Sequence, residues 1–114
     1  MNTKLLTKIT LVVFLVGGAY CWSAAADDGT QLWDMNCAAC HGKDGKGQTK
    51  MGQILGIKDL TDAKVQASFT DDQAIKDIKE GISENGKKKM KAFGDKFSDD
   101  DLKVLIAHVR SFKK

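Results

Sequence analysis

The 114-residue chain contains no proline, so none of its loops is stiffened by a ring-locked φ. It also lacks an apolar run long enough to span a bilayer. The longest, residues 9–19 ("ITLVVFLVGGA"), falls short of the ~20 residues that a membrane helix needs. Sustained period-2 alternation of apolar and polar residues is missing, which leaves helices as the expected secondary structure. Asn85-Gly86, elsewhere a hairpin signal, follows a helical pattern and is assigned to a polar loop. Cysteine is scarce, with only Cys21, Cys37 and Cys40. A disulfide between Cys37 and Cys40 would close a tiny loop and stabilise little.

What is present begins with a leader. Lys4 and Lys8 precede the apolar run, and Ser23, Ala24, Ala25 and Ala26 follow it. This order predicts a secretory signal peptide cut after Ala26, giving residues 1–26 as leader and 27–114 as one domain. A retained membrane anchor is the competing reading, weakened by the length of the run. Lipid attachment at Cys21 is disfavoured because Tyr20 stands where a small residue is needed. Removing Lys4 and Lys8, with no acidic residue beside them, lowers the formal charge from +3 to +1. Export and a near-neutral domain exclude nucleic acid as a partner. The local run Lys87, Lys88, Lys89 and Lys91 is either a solvated loop or a docking patch for an acidic protein.

The domain reads as all-α. A first helix starts near Asp28 or Gly29 and carries Leu32, Trp33 and Asn36 into Cys37. Glycines 42, 45, 47, 52 and 56 then break helical structure and let the backbone wrap closely around something. A short helix over residues 62–68 follows Thr61 as cap. The next begins at Thr70, with Gln73 at capping-box spacing and Ile75, Ile78 and Ile82 as its apolar stripe. Residues 83–94 form a lysine-rich loop containing Met90. The last helix is capped by Ser98, has Asp99, Asp100 and Asp101 at its positive end and Arg110, Lys113 and Lys114 at the other. Leu102, Leu105, Ile106, Val109 and Phe112 mark its buried face. So few large apolar side chains suit a domain built around a large apolar prosthetic group.

"NCAACHG", residues 36–42, indicates which group. A redox dithiol wants a βαβ setting that is not visible here. Structural zinc wants four ligands, and beyond Cys37, Cys40 and His41 only His108 is available. Cys-x-x-Cys-His is the attachment signature of c-type haem: two thiols on one turn reach the two vinyl groups, and the next residue offers an imidazole to iron. The second axial ligand is then sought among Met35, Met51, Met90 and His108. Met35 is tethered too close to the motif, and Met51 leaves little chain to build an opposite wall. Met90 is favoured because the chain can pass around the haem before returning; an open site is a further alternative.

Across residues 30–112 the chain resembles the bacterial class I c-type cytochromes. The resemblance rests on "CAACHG", "GKDGKG" after it, "MKAFGDKFSDDDL" around Met90 and the closing "LIAHVR". It implies a small cytochrome c fold of three to five helices around one covalent haem c. It also implies thioethers at Cys37 and Cys40, and iron held by His41 and Met90. First and last helices should cross near Gly29, Trp33 and residues 105–109. Two departures stand out. Lys91 replaces the proline that often follows the ligand methionine, and no proline carbonyl can receive the proximal imidazole N–H, so a carbonyl among residues 53–56 is expected instead. His108 stands where an aromatic residue is usual and is read as a packing residue at the crossing.

The implied function is a soluble, monomeric, periplasmic one-electron carrier, not an enzyme. It would dock redox partner proteins through lysines near the haem edge (Lys43, Lys50, Lys87, Lys88, Lys89, Lys91), with no stable membrane insertion. Rival readings are a haem subunit or docking module of a larger oxidoreductase, and an open-site peroxidase or gas sensor.

Overall fold

The computed structural model describes residues 17–18 and 24–114, with side-chain detail from Asp28 onward. Apart from residues 17–18 and 24–26, the predicted leader lies outside the described residues. The expected helical fold is present, with six helical segments and one short hairpin among the described residues. Helix α1, Ala24–Asn36, starts a turn before Asp28 because three alanines, the best helix formers, extend it backwards. Cys37 leaves the helix (φ −120°, ψ −35°), and the chain resumes as the single turn α2, Ala38–His41.

Helix α3, Lys50–Leu55, lies inside the glycine-rich stretch where the sequence predicts no helix. Thr49 starts it: its hydroxyl accepts the Gly52 N–H, which outweighs one interior glycine. Helix α4, Ala63–Ala67, is capped by Asp62 rather than Thr61, whose N–H and hydroxyl are both engaged by the Asp59 carboxylate. Helix α5, Asp71–Glu80, takes Thr70 as its cap. Its capping box is only half formed, since the Gln73 amide donates to Asp77 instead.

The lysine-rich segment is not a loop. Strands β1, Ile82–Glu84, and β2, Lys87–Met90, form an antiparallel hairpin. Asn85 (φ 50°) and Gly86 (φ 75°) turn it with positive φ at both central positions, the geometry that matches strand twist. Helix α6, Asp99–Ser111, carries a complete capping box between Ser98 and Asp101.

Helices α1 and α6 cross where expected. A methyl group on Gly29 would stand 3.1 Å from the Val104 carbonyl and 3.3 Å from the His108 Cβ. Beside this contact Trp33 packs its ring 5.6 Å from His108 and 5.0 Å from Phe112. Trp33, Leu102, Leu105, Ile106 and Val109 thus share a buried core with Leu60, Ile78 and Phe97. Arg110 joins α6 to the α4–α5 connection, donating to the Asp71 carboxylate, to Gln66 and to the Phe69 carbonyl.

Candidate functional site

Cys37, Cys40 and His41 occupy one turn. The Cys37 N–H donates to the Trp33 carbonyl at 2.8 Å, and the His41 N–H donates to the Cys37 carbonyl at 2.9 Å. The following segment secures the turn from its carbonyl side. The Thr49 hydroxyl donates to the Cys40 carbonyl (2.6 Å) and the Gly47 N–H to the His41 carbonyl (2.7 Å). Trp33 Nε1 donates to the Gly42 carbonyl at 2.9 Å. Only glycine fits at position 52, because a Cβ there would come within 2.6 Å of the Cys40 carbonyl. Thr49 was not foreseen, though a threonine ahead of a helical segment is a capping signal.

Both cysteines are half-buried and unbonded. Burial pushes the Cys37 thiol up to about 11, against the opposing pull of the Lys91 and Lys96 charges. A redox dithiol needs the opposite, a thiol readily ionised near neutral pH. Among the described residues no three His, Cys, Asp or Glu side chains converge on a site for a metal ion.

The His41 ring lies 5.3 Å from the Trp33 ring, and burial holds its pKa below the usual imidazole value. Its Nδ1 is buried without a hydrogen-bond partner. The carbonyl acceptor expected among residues 53–56 is not in place. Gly56 closes α3 in a left-handed turn whose N–H takes the Gln53 carbonyl, while the Leu55 carbonyl accepts from Lys89. A neutral buried imidazole with an unsatisfied nitrogen, one turn from two free thiols, fits the donor set of covalent haem.

Met90 ends β2, pairs with Ile82 and is half-buried on the same core cluster that Cys37 packs against. The chain after Met90 is tied to the end of α5 by backbone contacts: the Phe93 and Gly94 N–H groups donate to the Ile78 and Lys79 carbonyls, both at 2.9 Å. The other sulfurs are placed differently, with Met35 82% and Met51 45% exposed. His108 packs at the helix crossing as expected, and the Trp33 indole touches both it and His41.

A helical shell around a one-turn Cys-x-x-Cys-His motif defines the class I c-type cytochromes. The chain belongs to the family described as cytochrome c oxidase, cbb3-type, subunit III, whose model matches residues 24–109. It is 34% identical over 97 residues to the cbb3-type cytochrome c oxidase subunit FixP of Azorhizobium caulinodans, covering 85% of this chain and 30% of that protein. It is also 34% identical over 86 residues to cytochrome c6 of Leptolyngbya boryana, covering 75% and 91%. Among solved structures, the KustC0563 c-type cytochrome superposes with a TM-score of 0.67 at 38% identity, over 76% of this chain and 99% of that one. The chain spans less than a third of the FixP proteins that it matches. Its cofactor is covalently bound haem c with its iron. No helix among the described residues is long and apolar enough to cross a membrane.

Proposed function

We propose that the protein is exported, loses residues 1–26, and works in the periplasm as a monomeric, freely diffusing one-electron carrier rather than an enzyme. Cys37 and Cys40 hold haem c through thioethers, and His41 and Met90 are its axial ligands. The position of Met90 carries this assignment: it is half-buried on the core it shares with Cys37, at the end of a hairpin bonded on both flanks. When bound, haem c supplies a one-electron ferric/ferrous couple, whose potential methionine ligation raises.

The chain's own residues position and shield this group. Thr49, Gly47 and the Trp33 indole pin the carbonyls of the attachment turn. Burial keeps the His41 imidazole neutral, the form that ligates iron. The only arginine, Arg110, is engaged by Asp71, Gln66 and Phe69 and so is not free to serve oxygen or peroxide chemistry. Docking falls to fewer cations than the sequence predicts. Lys43 pairs with Asp34, Lys89 binds the Leu55 carbonyl and Lys91 lies over the Phe93 ring. Lys50 on α3 and the adjacent Lys87 and Lys88 on β2 are exposed and have no side-chain partner among the described residues, and they are the cations offered to an acidic redox protein.

A second reading, a haem module docked to a larger oxidoreductase, is favoured by the similarity to FixP. Co-purification at fixed stoichiometry with one complex supports it, and recovery as a free monomer supports the shuttle. The ligand assignment is tested by the ferric optical spectrum of the haem-loaded Met90→Ala protein. Loss of the methionine-to-iron charge-transfer band is expected, and an unchanged spectrum means that another group ligates the iron.

A further inference from the structure

Lys89 differs from the lysines on either side of it. Ser83 pairs with Lys88 and Ile82 with Met90, so Lys89 is the extra residue of a β-bulge. A bulge re-aims the side chain it carries. Here the side chain is half-buried while those of Lys87 and Lys88 are exposed, and its Nζ donates to the Leu55 carbonyl at 3.2 Å. Leu55 is the last residue of α3, and its carbonyl lies beyond the reach of the helix's own ladder. The bond joins two segments 34 residues apart. On one side is the hairpin that ends in Met90; on the other is the helix whose Gly52 lies on the Cys40 backbone.

The geometry points to Lys89 as a positioning residue: it straps the methionine hairpin to α3 and thereby holds Met90 in place, taking no part in partner docking. This rests on Met90 as an axial ligand. The two backbone bonds from Phe93 and Gly94 secure the chain after Met90, and Gly81 lies under it, whereas among the described residues the chain before Met90 is held by the hairpin pairing and the Lys89 strap. The bulge interrupts that pairing one residue short of Met90. A hydrogen bond from a charged donor is among the stronger single contacts available there.

The haem-loaded ferric protein tests this with imidazole as a competing ligand. Imidazole binds only when the methionine sulfur leaves, so its apparent affinity follows the open fraction. Lys89→Met keeps the apolar stem and removes the donor, and is expected to tighten imidazole binding roughly tenfold. Lys89→Arg restores a donor and should return the affinity toward that of the unmodified protein, while Lys88→Met should leave it unchanged. Oxidation of the ferrous protein by ferricyanide, a small anionic one-electron oxidant, separates the roles: Lys88→Met slows it and Lys89→Met does so no more than the loss of one distant charge allows. Equal imidazole affinities for Lys89→Met and Lys88→Met overturn the strap. Unchanged imidazole affinity in Met90→Ala instead overturns the ligand assignment beneath it.

Discussion

Gly81 lies directly beneath the strand that carries Met90: a methyl group on its α-carbon would stand 2.7 Å from the Met90 carbonyl oxygen and 2.8 Å from the Ala92 nitrogen. Gly81 is also the residue at which α5 stops, with φ at 76°. One position thus ends a helix and lets the methionine segment pass at backbone contact. That crossing, with the Phe93 and Gly94 bonds to the end of α5, provides restraint that proline provides elsewhere through its fixed φ.

Gly81→Ala should therefore destabilise the domain and loosen Met90 together. At φ 76° and ψ 176° the backbone alone costs a non-glycine residue about 1–3 kcal/mol, and the contact with backbone atoms adds to it because neither neighbour is a flexible side-chain tip. Gly86→Ala is the control, since φ is 75° there but nothing lies within 4 Å of the added methyl. Denaturant unfolding should rank Gly81→Ala well below Gly86→Ala. Equal losses would show that only the backbone angle matters.

Arg110 makes a second testable contact. Gln66, 3% exposed, donates to the Leu60 and Val109 carbonyls and accepts from the Arg110 guanidinium. Arg110→Leu would leave the Gln66 Oε1 and the Phe69 carbonyl without donors, a loss of about 2 kcal/mol on the cost of unpaired buried acceptors. Lysine should not substitute, because the planar fork is what reaches Gln66, Phe69 and Asp71 at once. Asp71→Asn, which alters the exposed end of the same network, should cost well under about 1 kcal/mol. Urea midpoints for the three variants check this ordering.

Local signals were legible and long-range ones were not. The 3.6-residue stripe of α6, the Ser98 and Thr70 caps and the one-turn Cys37, Cys40 and His41 arrangement each depend on neighbours in sequence. The hairpin escaped because Lys87, Lys88 and Lys89 carry no β-branched or aromatic side chain; Asn85-Gly86 was its only local mark. Helix α3 escaped because Gly52 looks like a helix breaker until the Cys40 carbonyl is seen pressed against it. Links between Lys89 and Leu55, or Arg110 and Gln66, bridge 34 and 44 residues and leave no periodic trace.

Ser98→Ala isolates the contribution of one cap. The Ser98 hydroxyl accepts the Asp101 N–H and the Asp101 carboxylate accepts the Ser98 N–H, both at 3.1 Å. Losing the first half should lower stability by about 1 kcal/mol without altering the optical spectrum, because the cap bonds join Ser98 and Asp101 to each other and not to the attachment turn. A changed spectrum would show that the start of α6 reaches the haem.

His108 should make the domain sensitive to acid. Its ring packs against Trp33 and edge-on to Phe112, its Cβ faces Gly29, and its Nε2 is buried with no partner. Burial holds its pKa below the usual imidazole value, with the Asp34 carboxylate pulling weakly the other way. In the unfolded chain the ring takes a proton near its ordinary pKa of about 6.5, while in the folded protein it resists. The unfolded state thus binds more protons below that point, and stability falls as pH drops through it, while above it the contribution is fully present. His108→Phe keeps an aromatic ring at the crossing and removes both the proton site and the unpaired nitrogen. Its urea midpoint should be higher at neutral pH and should fall less between about pH 8 and about pH 5. His41 is common to both proteins and cancels in the difference. Parallel curves for the two proteins would assign the acid sensitivity to other groups.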